Sequence, residues 1–175
     1  DRITAGLDVY YRETTDMINW IPVPALSNLT NYLNSNIGNM INTGFEFDVN
    51  AIAIDTQDWT WSIGANVAYN YNEITKLTAS ANDKTGINTG GISGGVGNTV
   101  QQHQVGYAPS SFYLYQQVYD QNGLPLEGVY VDRNEDGKID EGDKYFYHKP
   151  AADWNVGLNT TLTYKNWTLA ASGHG

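Results

Sequence analysis

One stretch of twelve residues is spaced for cation chemistry. Asp132, Asn134, Asp136, Lys138, Asp140 and Asp143 occupy positions 1, 3, 5, 7, 9 and 12 of a loop with Gly137 at position 6. This is the ligand pattern of a calcium loop, in which position 7 contributes its backbone carbonyl and the glycine permits a sharp turn. Four aspartates that converge repel one another, and a hard dication with oxygen ligands relieves that repulsion. Position 12 is Asp143 rather than the longer glutamate of a helical sensor loop, which points to a structural Ca2+ in a calcium-rich exterior. Ile139 is expected to point inward and anchor the loop. The other reading of 132–143 is a solvated acidic turn that holds no ion.

The remaining chemical motifs are weaker. Gly91-Ile92-Ser93-Gly94-Gly95 fits G-x-S-x-G, with Asp120 and His148 following in hydrolase order. A nucleophile elbow needs a strand before it and a helix after it; these flanks are glycine, asparagine and threonine, and read as a flexible loop. Asp83-Lys84-Thr85-Gly86 resembles a phosphorylation motif, but Ile87 stands where threonine is required. His103, His148 and His174 lack metal-ligand spacing. Tyr107, Phe112, Tyr113, Tyr115, Tyr119 and Tyr130 could stack on sugar rings or on a partner, but a long ordered loop needs buried apolar groups of its own, and that reading is preferred.

The elements that must carry these residues read as long strands. Ile3, Ala5, Leu7, Val9 and Tyr11 alternate with Thr4, Gly6, Asp8, Tyr10 and Arg12. The same period of two runs through Thr43–Ala51, Trp59–Tyr71 and Asn155–Tyr164, and resumes at Leu169 and Ala171 after a tight turn at Lys165-Asn166. The runs are roughly 9–13 residues long, against about 5–6 for an ordinary strand, and a tilted membrane-spanning strand needs about 9–11. Trp59, Trp61, Tyr69, Tyr71, Trp154, Tyr164 and Trp167 cluster near strand ends, where an outer-membrane barrel places its aromatic girdles. Ile3, Leu7, Val9, Phe45, Phe47, Ile63, Val67, Leu158 and Leu162 are expected to meet lipid. Glu46, Asp48, Asn66, Asn70, Asn155 and Asn159 are expected to face a wet lumen.

Short turns at 55–58 and 165–166 alternate with long connections at 22–36 and 72–153. Barrels pair short periplasmic turns with long extracellular loops, so 72–153 is expected to be one long, structured extracellular loop carrying 132–143, with a strand at Ser111–Val118. The fold class is thus all-β: part of a large antiparallel transmembrane β-barrel with about five spanning strands. Five strands leave two open edges, which lipid does not tolerate. Residues 1–175 therefore read as a fragment of a larger barrel, and both ends look cut.

Composition sets the remaining bounds. The chain has 175 residues, 9 Lys+Arg against 19 Asp+Glu, a net charge of −10 and no cysteine. The acidity argues against a nucleic-acid partner, which would require a basic patch. The absence of cysteine excludes disulfides, thiolate metal sites and a cysteine nucleophile. Charged residues make up 16%, against roughly 25% in ordinary globular proteins, while aromatics reach 13% and are mostly tyrosine, a balance suited to a membrane interface. The alternative architecture is a soluble secreted β-domain with a calcium loop, acting as an adhesion or glycan-binding module.

An ordered set of segments resembles a known family. Val9-Tyr10-Tyr11-Arg12-Glu13-Thr14-Thr15-Asp16 comes first, then Asn42-Thr43-Gly44-Phe45-Glu46-Phe47 and Asn66–Ile74. Val105-Gly106-Tyr107-Ala108-Pro109 precedes Ser111-Phe112-Tyr113. Asp132–Asp143 follows, and then Pro150, Trp154, Gly157 and Tyr164-Lys165-Asn166-Trp167. Together they resemble the C-terminal part of the barrel of SusC/RagA-type TonB-linked outer-membrane transporters. The resemblance implies a complete chain of roughly a thousand residues, with an N-terminal plug and a barrel of about 22 strands. It implies import of oligosaccharide or peptide, with no enzymatic activity, across the cell outer membrane of a Gram-negative bacterium. The implied partners are a SusD-like surface lipoprotein as lid, TonB-ExbB-ExbD acting through an N-terminal region, and outer-membrane lipid.

Overall fold

A computed structural model describes residues 1–22, 32–78, 85–93 and 98–175. Among these residues it contains eleven strands and one short 3-10 helix. In order they are β1 (Ile3–Pro22), β2 (Tyr32–Asp55), β3 (Trp59–Lys76), β4 (Ile87–Gly91), β5 (Thr99–His103), β6 (Ser111–Leu114), β7 (Gln117–Tyr119), β8 (Pro125–Tyr130), the helix Glu141–Asp143, β9 (Tyr145–Phe146), β10 (Trp154–Tyr164) and β11 (Trp167–His174). Among the described residues no helix is long and apolar enough to cross a membrane.

Two compact units divide the chain. The first comprises Asp1–Thr14, Met40–Asn72 and Ala151–Gly175. Its strands lie in the order β1-β2-β3-β10-β11, an antiparallel sheet. These are the five long strands expected from the alternation. The register joins the faces across strands: Val156 lies opposite Val67, Leu158 opposite Ala65 and Leu162 opposite Trp61 and Leu169. On the other side of the sheet Asn159 pairs with Gly64 and Ser172, and Gly157 with Asn66. A one-residue slip would exchange the two faces, so the period-two pattern of each strand fixes its pairing with the next.

The expected turns close the hairpins. Thr56 N–H donates to the Trp59 carbonyl (2.8 Å), and the Thr56 hydroxyl accepts from Trp59 N–H (3.0 Å). Lys165, with φ +51°, turns β10 directly into β11, so that Tyr164 faces Trp167. Lys165 N–H also donates to the Asp58 carbonyl (2.9 Å), which places the two short turns side by side at one end of the sheet.

The second unit comprises Thr15–Asn39 and Glu73–Pro150. It holds a four-stranded sheet, β4-β5-β6-β9, and a two-stranded one, β7-β8. Four expectations need correcting here. β3 does not stop near Tyr71 but continues to Lys76, into the expected loop. The single strand at Ser111–Val118 is two strands, broken at Tyr115–Gln116, because β6 pairs with β5 and β9 whereas β7 pairs with β8. Of the expected connection 22–36, residues 23–31 lie outside the described residues, while Tyr32 onward belongs to β2. β1 also runs past its alternation to Pro22, through Asp16 at φ +57°.

Candidate functional site

The first unit's apolar face is built for lipid. Leu7, Val9, Leu158 and Leu169 are 64%, 76%, 58% and 71% exposed. A contiguous exposed apolar surface marks a partner or a membrane rather than water. Two aromatic clusters bound it. At the turn end, Trp59 and Tyr164 stack with centroids 4.3 Å apart. At the other end, Tyr69 lies 4.8 Å from Trp154, and Phe45 lies 5.8 Å from Trp154. Trp59 and Tyr69 are ten steps apart on β3; at about 3.3 Å per residue and a tilt of about 40°, the band between them is about 25 Å tall. That is the height of an outer-membrane barrel's apolar belt.

The opposite face is polar and tightly interlocked. The Tyr10 hydroxyl donates to Asn70 Oδ1 (3.0 Å), and Asn72 Nδ2 donates to Asn42 Oδ1 (2.9 Å). Gly64 leaves room for the side chains of Asn50 and Asn159, and Gly157 for that of Asn66; a Cβ at either glycine would collide with those amides. All six residues assigned to the lumen from sequence lie on this face: Asn66, Asn155 and Asn159 by strand register, Glu46, Asp48 and Asn70 by strand alternation and contacts.

The acidic loop is ordered from within. Asp132 accepts from Asp136 N–H (3.2 Å) and Gly137 N–H (2.7 Å), Asn134 Oδ1 from Asp136 N–H (3.1 Å), and Asp136 from Lys138 N–H (2.9 Å). Asp140 caps the helix Glu141–Asp143 through Gly142 N–H (2.8 Å). Asp143 is completely buried. Its carboxylate accepts from Arg133 N–H (2.8 Å), Asn134 N–H (3.4 Å) and Asp140 N–H (2.8 Å). These backbone donors hold its pKa below the ordinary carboxylate value, the Asp140 amide foremost, against the opposing effect of burial.

The expectation that Ile139 anchors the loop fails: Ile139 is 46% exposed, and Asp143 does the anchoring. Among the described residues no three His, Cys, Asp or Glu side chains are gathered as a metal would hold them. The donor set nevertheless suits a hard cation. It is all oxygen, and Gly137 at φ +82° makes the turn that the pattern requires.

Beside this loop, most of the predicted aromatics pack against one another, but none of them is fully buried. Tyr107 stacks on Phe146 (3.8 Å), Tyr113 lies 4.9 Å from Phe146, and Tyr115 lies 5.2 Å from Tyr130. Tyr107, Tyr119 and Tyr130 are 40%, 60% and 38% exposed. Sequence reasoning missed what lies against these rings. An open, chiefly polar depression of about 550 Å³ is lined by Gln104, Tyr107, Tyr113, Arg133, Lys144 and Phe146, among others. Arg133 inside the acidic loop and Lys144 directly after it were the available signal.

The hydrolase-like residues do other work. The Asp120 carboxylate caps the β7–β8 turn, accepting from Asn122 and Leu124 N–H (2.8 Å each). His148 lies against Tyr147, and His103 Nδ1 accepts from Ser110 N–H. Gly94 and Gly95 of the G-x-S-x-G stretch, and Asp83-Lys84, lie outside the described residues.

A sheet with one lipid-ready face, two aromatic belts and one polar face defines the wall of a transmembrane β-barrel. Residues 1–174 match the family described as TonB dependent receptor-like, beta-barrel. The chain is 47% identical over 172 residues to the TonB-dependent receptor SusC of Bacteroides thetaiotaomicron, covering 98% of this chain and 17% of the relative. It is 30% identical to TonB-dependent receptor P3 of Formosa agariphila, covering 97% and 18%. The chain thus spans less than a fifth of these relatives. The RagAB peptide transporter structure superposes with a TM-score of 0.70 at 23% identity, over 98% of this chain and 19% of that one. The chain belongs to the TonB-dependent receptor β-barrel family, and its place is the outer membrane of a Gram-negative bacterium.

Proposed function

We propose that this segment is wall and loop of an outer-membrane importer that takes up oligosaccharide or peptide, driven by TonB-ExbB-ExbD and lidded by a SusD-like lipoprotein. The observation that carries this reading is 47% identity to the TonB-dependent receptor SusC over 98% of the chain. In this reading β1, β2, β3, β10 and β11 supply part of the barrel wall, the apolar side of the sheet meets lipid, and its Asn-rich side meets water in the lumen. The segment supplies no catalytic group; energy comes from the inner membrane. The connection 72–153 lies outside the cell, and Asp132, Asn134, Asp136, Lys138, Asp140 and Asp143 hold a structural Ca2+ there. That ion would offset the charge of four aspartates.

The test is uptake. Cells carrying the complete barrel should accumulate labelled oligosaccharide or peptide, and removal of TonB should abolish accumulation. Uptake that persists without TonB would overturn the reading. A lipoprotein that copurifies with the barrel in detergent would support the lid, and a barrel purified alone under gentle extraction would count against it.

A further inference from the structure

We propose that the turn end of the apolar face is a phospholipid site, in which Lys165 takes the phosphate and a groove over Thr160 takes one acyl chain. The proposal rests on the reading of the sheet as barrel wall, and it singles out one bound molecule from the lipid that such a wall meets.

The first observation is the groove. On the apolar face of the first unit, an open groove of about 470 Å³ is lined by Trp61, Ile63, Leu158, Thr160, Ala171 and Gly173, among others. It is centred on β10, which has a neighbour on each side: Thr160 lies opposite Ile63 on β3 and Ala171 on β11. Thr160, Ala171 and Gly173 are small where Trp61, Leu158 and Leu162 around them are large, so the surface dips there. The polar atoms of the floor are consumed internally. Trp61 Nε1 donates to Thr160 Oγ1 (2.8 Å), and Thr160 Oγ1 donates to the Ser62 carbonyl (3.2 Å). The groove thus offers an occupant carbon surface and little hydrogen bonding. A hydrocarbon chain suits that chemistry, whereas a sugar or a peptide would leave polar groups unpaired in it.

The second observation is a cation at belt height. Lys165 N–H donates to the Asp58 carbonyl (2.9 Å), so the turn that carries Asp55 and Asp58 lies alongside. Lys165 nevertheless forms no ion pair among the described residues. Its ammonium lies 5.3 Å from the centroid of Tyr164, and Tyr164 stacks on Trp59 in the belt of the apolar face. The ammonium is therefore turned toward the lipid side of the wall, where the available anions are lipid phosphates. Trp167, opposite Tyr164 and 79% exposed, adds a ring at the same height.

The spacing joins the two. Thr160 is five residues from Lys165. At about 3.3 Å per residue and a tilt of about 40°, the groove lies about 13 Å into the membrane from the turn. One leaflet's hydrocarbon is about 15 Å deep, half of a core of about 30 Å. A chain that descends from a phosphate on Lys165 thus crosses the groove before the midplane. Short turns of such barrels face the periplasm, which makes the leaflet at this belt the phospholipid one.

The experiment is native mass spectrometry of the complete barrel, delipidated in detergent and titrated with dioleoyl phosphatidylglycerol. One lipid should bind about tenfold more tightly than those that follow. Lys165→Gln, and Ala171→Leu, which fills the groove, should each weaken that first lipid about fivefold. Arg133→Gln, which removes a cation of the second unit, should leave it unchanged. Dioleoylglycerol, with the same chains and no phosphate, should bind about fivefold more weakly, and inorganic phosphate should not displace the lipid. A graded series without a tight first lipid would make lipid a bulk solvent here and overturn the proposal. So would a first lipid indifferent to Lys165→Gln, or dioleoylglycerol binding as tightly as the phospholipid. Should Ala171→Leu fail to give a closed barrel, Lys165→Gln, in an exposed turn, still decides the matter. Barrel closure and TonB-dependent uptake are read separately, so failure here leaves the importer reading standing, and loss of TonB dependence leaves the lipid result standing.

Discussion

At the scale of single residues, Asp143 matters most to the acidic loop. A buried carboxylate that satisfies three backbone N–H groups is favoured in its charged form, and its pKa is accordingly lowered. The sign follows from linkage. Its contribution is complete above the unfolded carboxylate pKa of about 3.9 and decays as pH falls through the lower folded value. Amide exchange at Arg133, Asn134 and Asp140 should therefore be slow at neutral pH and accelerate only below about pH 4. Asp143→Asn should exchange faster at neutral pH and lose this acid transition; unchanged protection in the variant would mean that other contacts hold the loop. The cation is tested separately. Calcium titrated into the barrel should release or absorb heat, and Asp136→Ala should reduce that heat to the dilution level. Equal heats in both would remove the metal. The turn at Gly137 was legible because it is local, set by a glycine at φ +82° among short polar residues. The anchor was misread: Ile139 is apolar and Asp143 charged, so burial was assigned by residue type, whereas the backbone donors of the turn made the carboxylate the better buried group.

At the scale of elements, the strand register makes facing testable. Val67 lies opposite Val156 on the apolar side, and its neighbour Asn66 lies opposite Gly157 on the polar side. Arginine in place of Val67 should cost about 2–4 kcal/mol, since the lipid midplane cannot solvate it. Arginine in place of Asn66 should cost much less, because its head can reach water. Barrel refolding yields, or the heat-modified shift on gels, would rank the two; the reverse order would invert the sheet. This part of the fold was readable because binary alternation is the cause of the facing. The far ends of the strands were not. Residues 33–41 of β2 read Leu-Asn-Ser-Asn-Ile-Gly-Asn-Met-Ile, with no alternation to follow, and their pairing comes from neighbours rather than from their own pattern. The depression beside the acidic loop was illegible for a similar reason, since its walls come from separated stretches around 104–107, 113, 133 and 144–146.

For the molecule as a whole, the sheet ends, among the described residues, in two edge strands, β1 and β11. Lipid cannot satisfy an open strand edge, so the five strands need further strands to span a membrane. The isolated 175-residue polypeptide should accordingly require detergent and fail to give the heat-resistant, compact band of a closed barrel. A monomer that stays in the aqueous phase would instead favour a soluble β-domain.

The seam between β3 and β10 also has a consequence for assembly. Trp61 Nε1 donates to Thr160 Oγ1 across it, and the two residues are 99 positions apart. Closing so long a connection costs roughly 3 kcal/mol more than closing a four-residue turn, at about 0.6 kcal/mol per doubling. The hairpins β2–β3 and β10–β11 face no such delay. The wall should therefore arise as two zippered hairpins that wait for each other. Within the intervening region, Ile74 already exchanges backbone hydrogen bonds with Gly106 and Tyr107, which shortens the effective tether. The region between β3 and β10 thereby sets when the two hairpins can join.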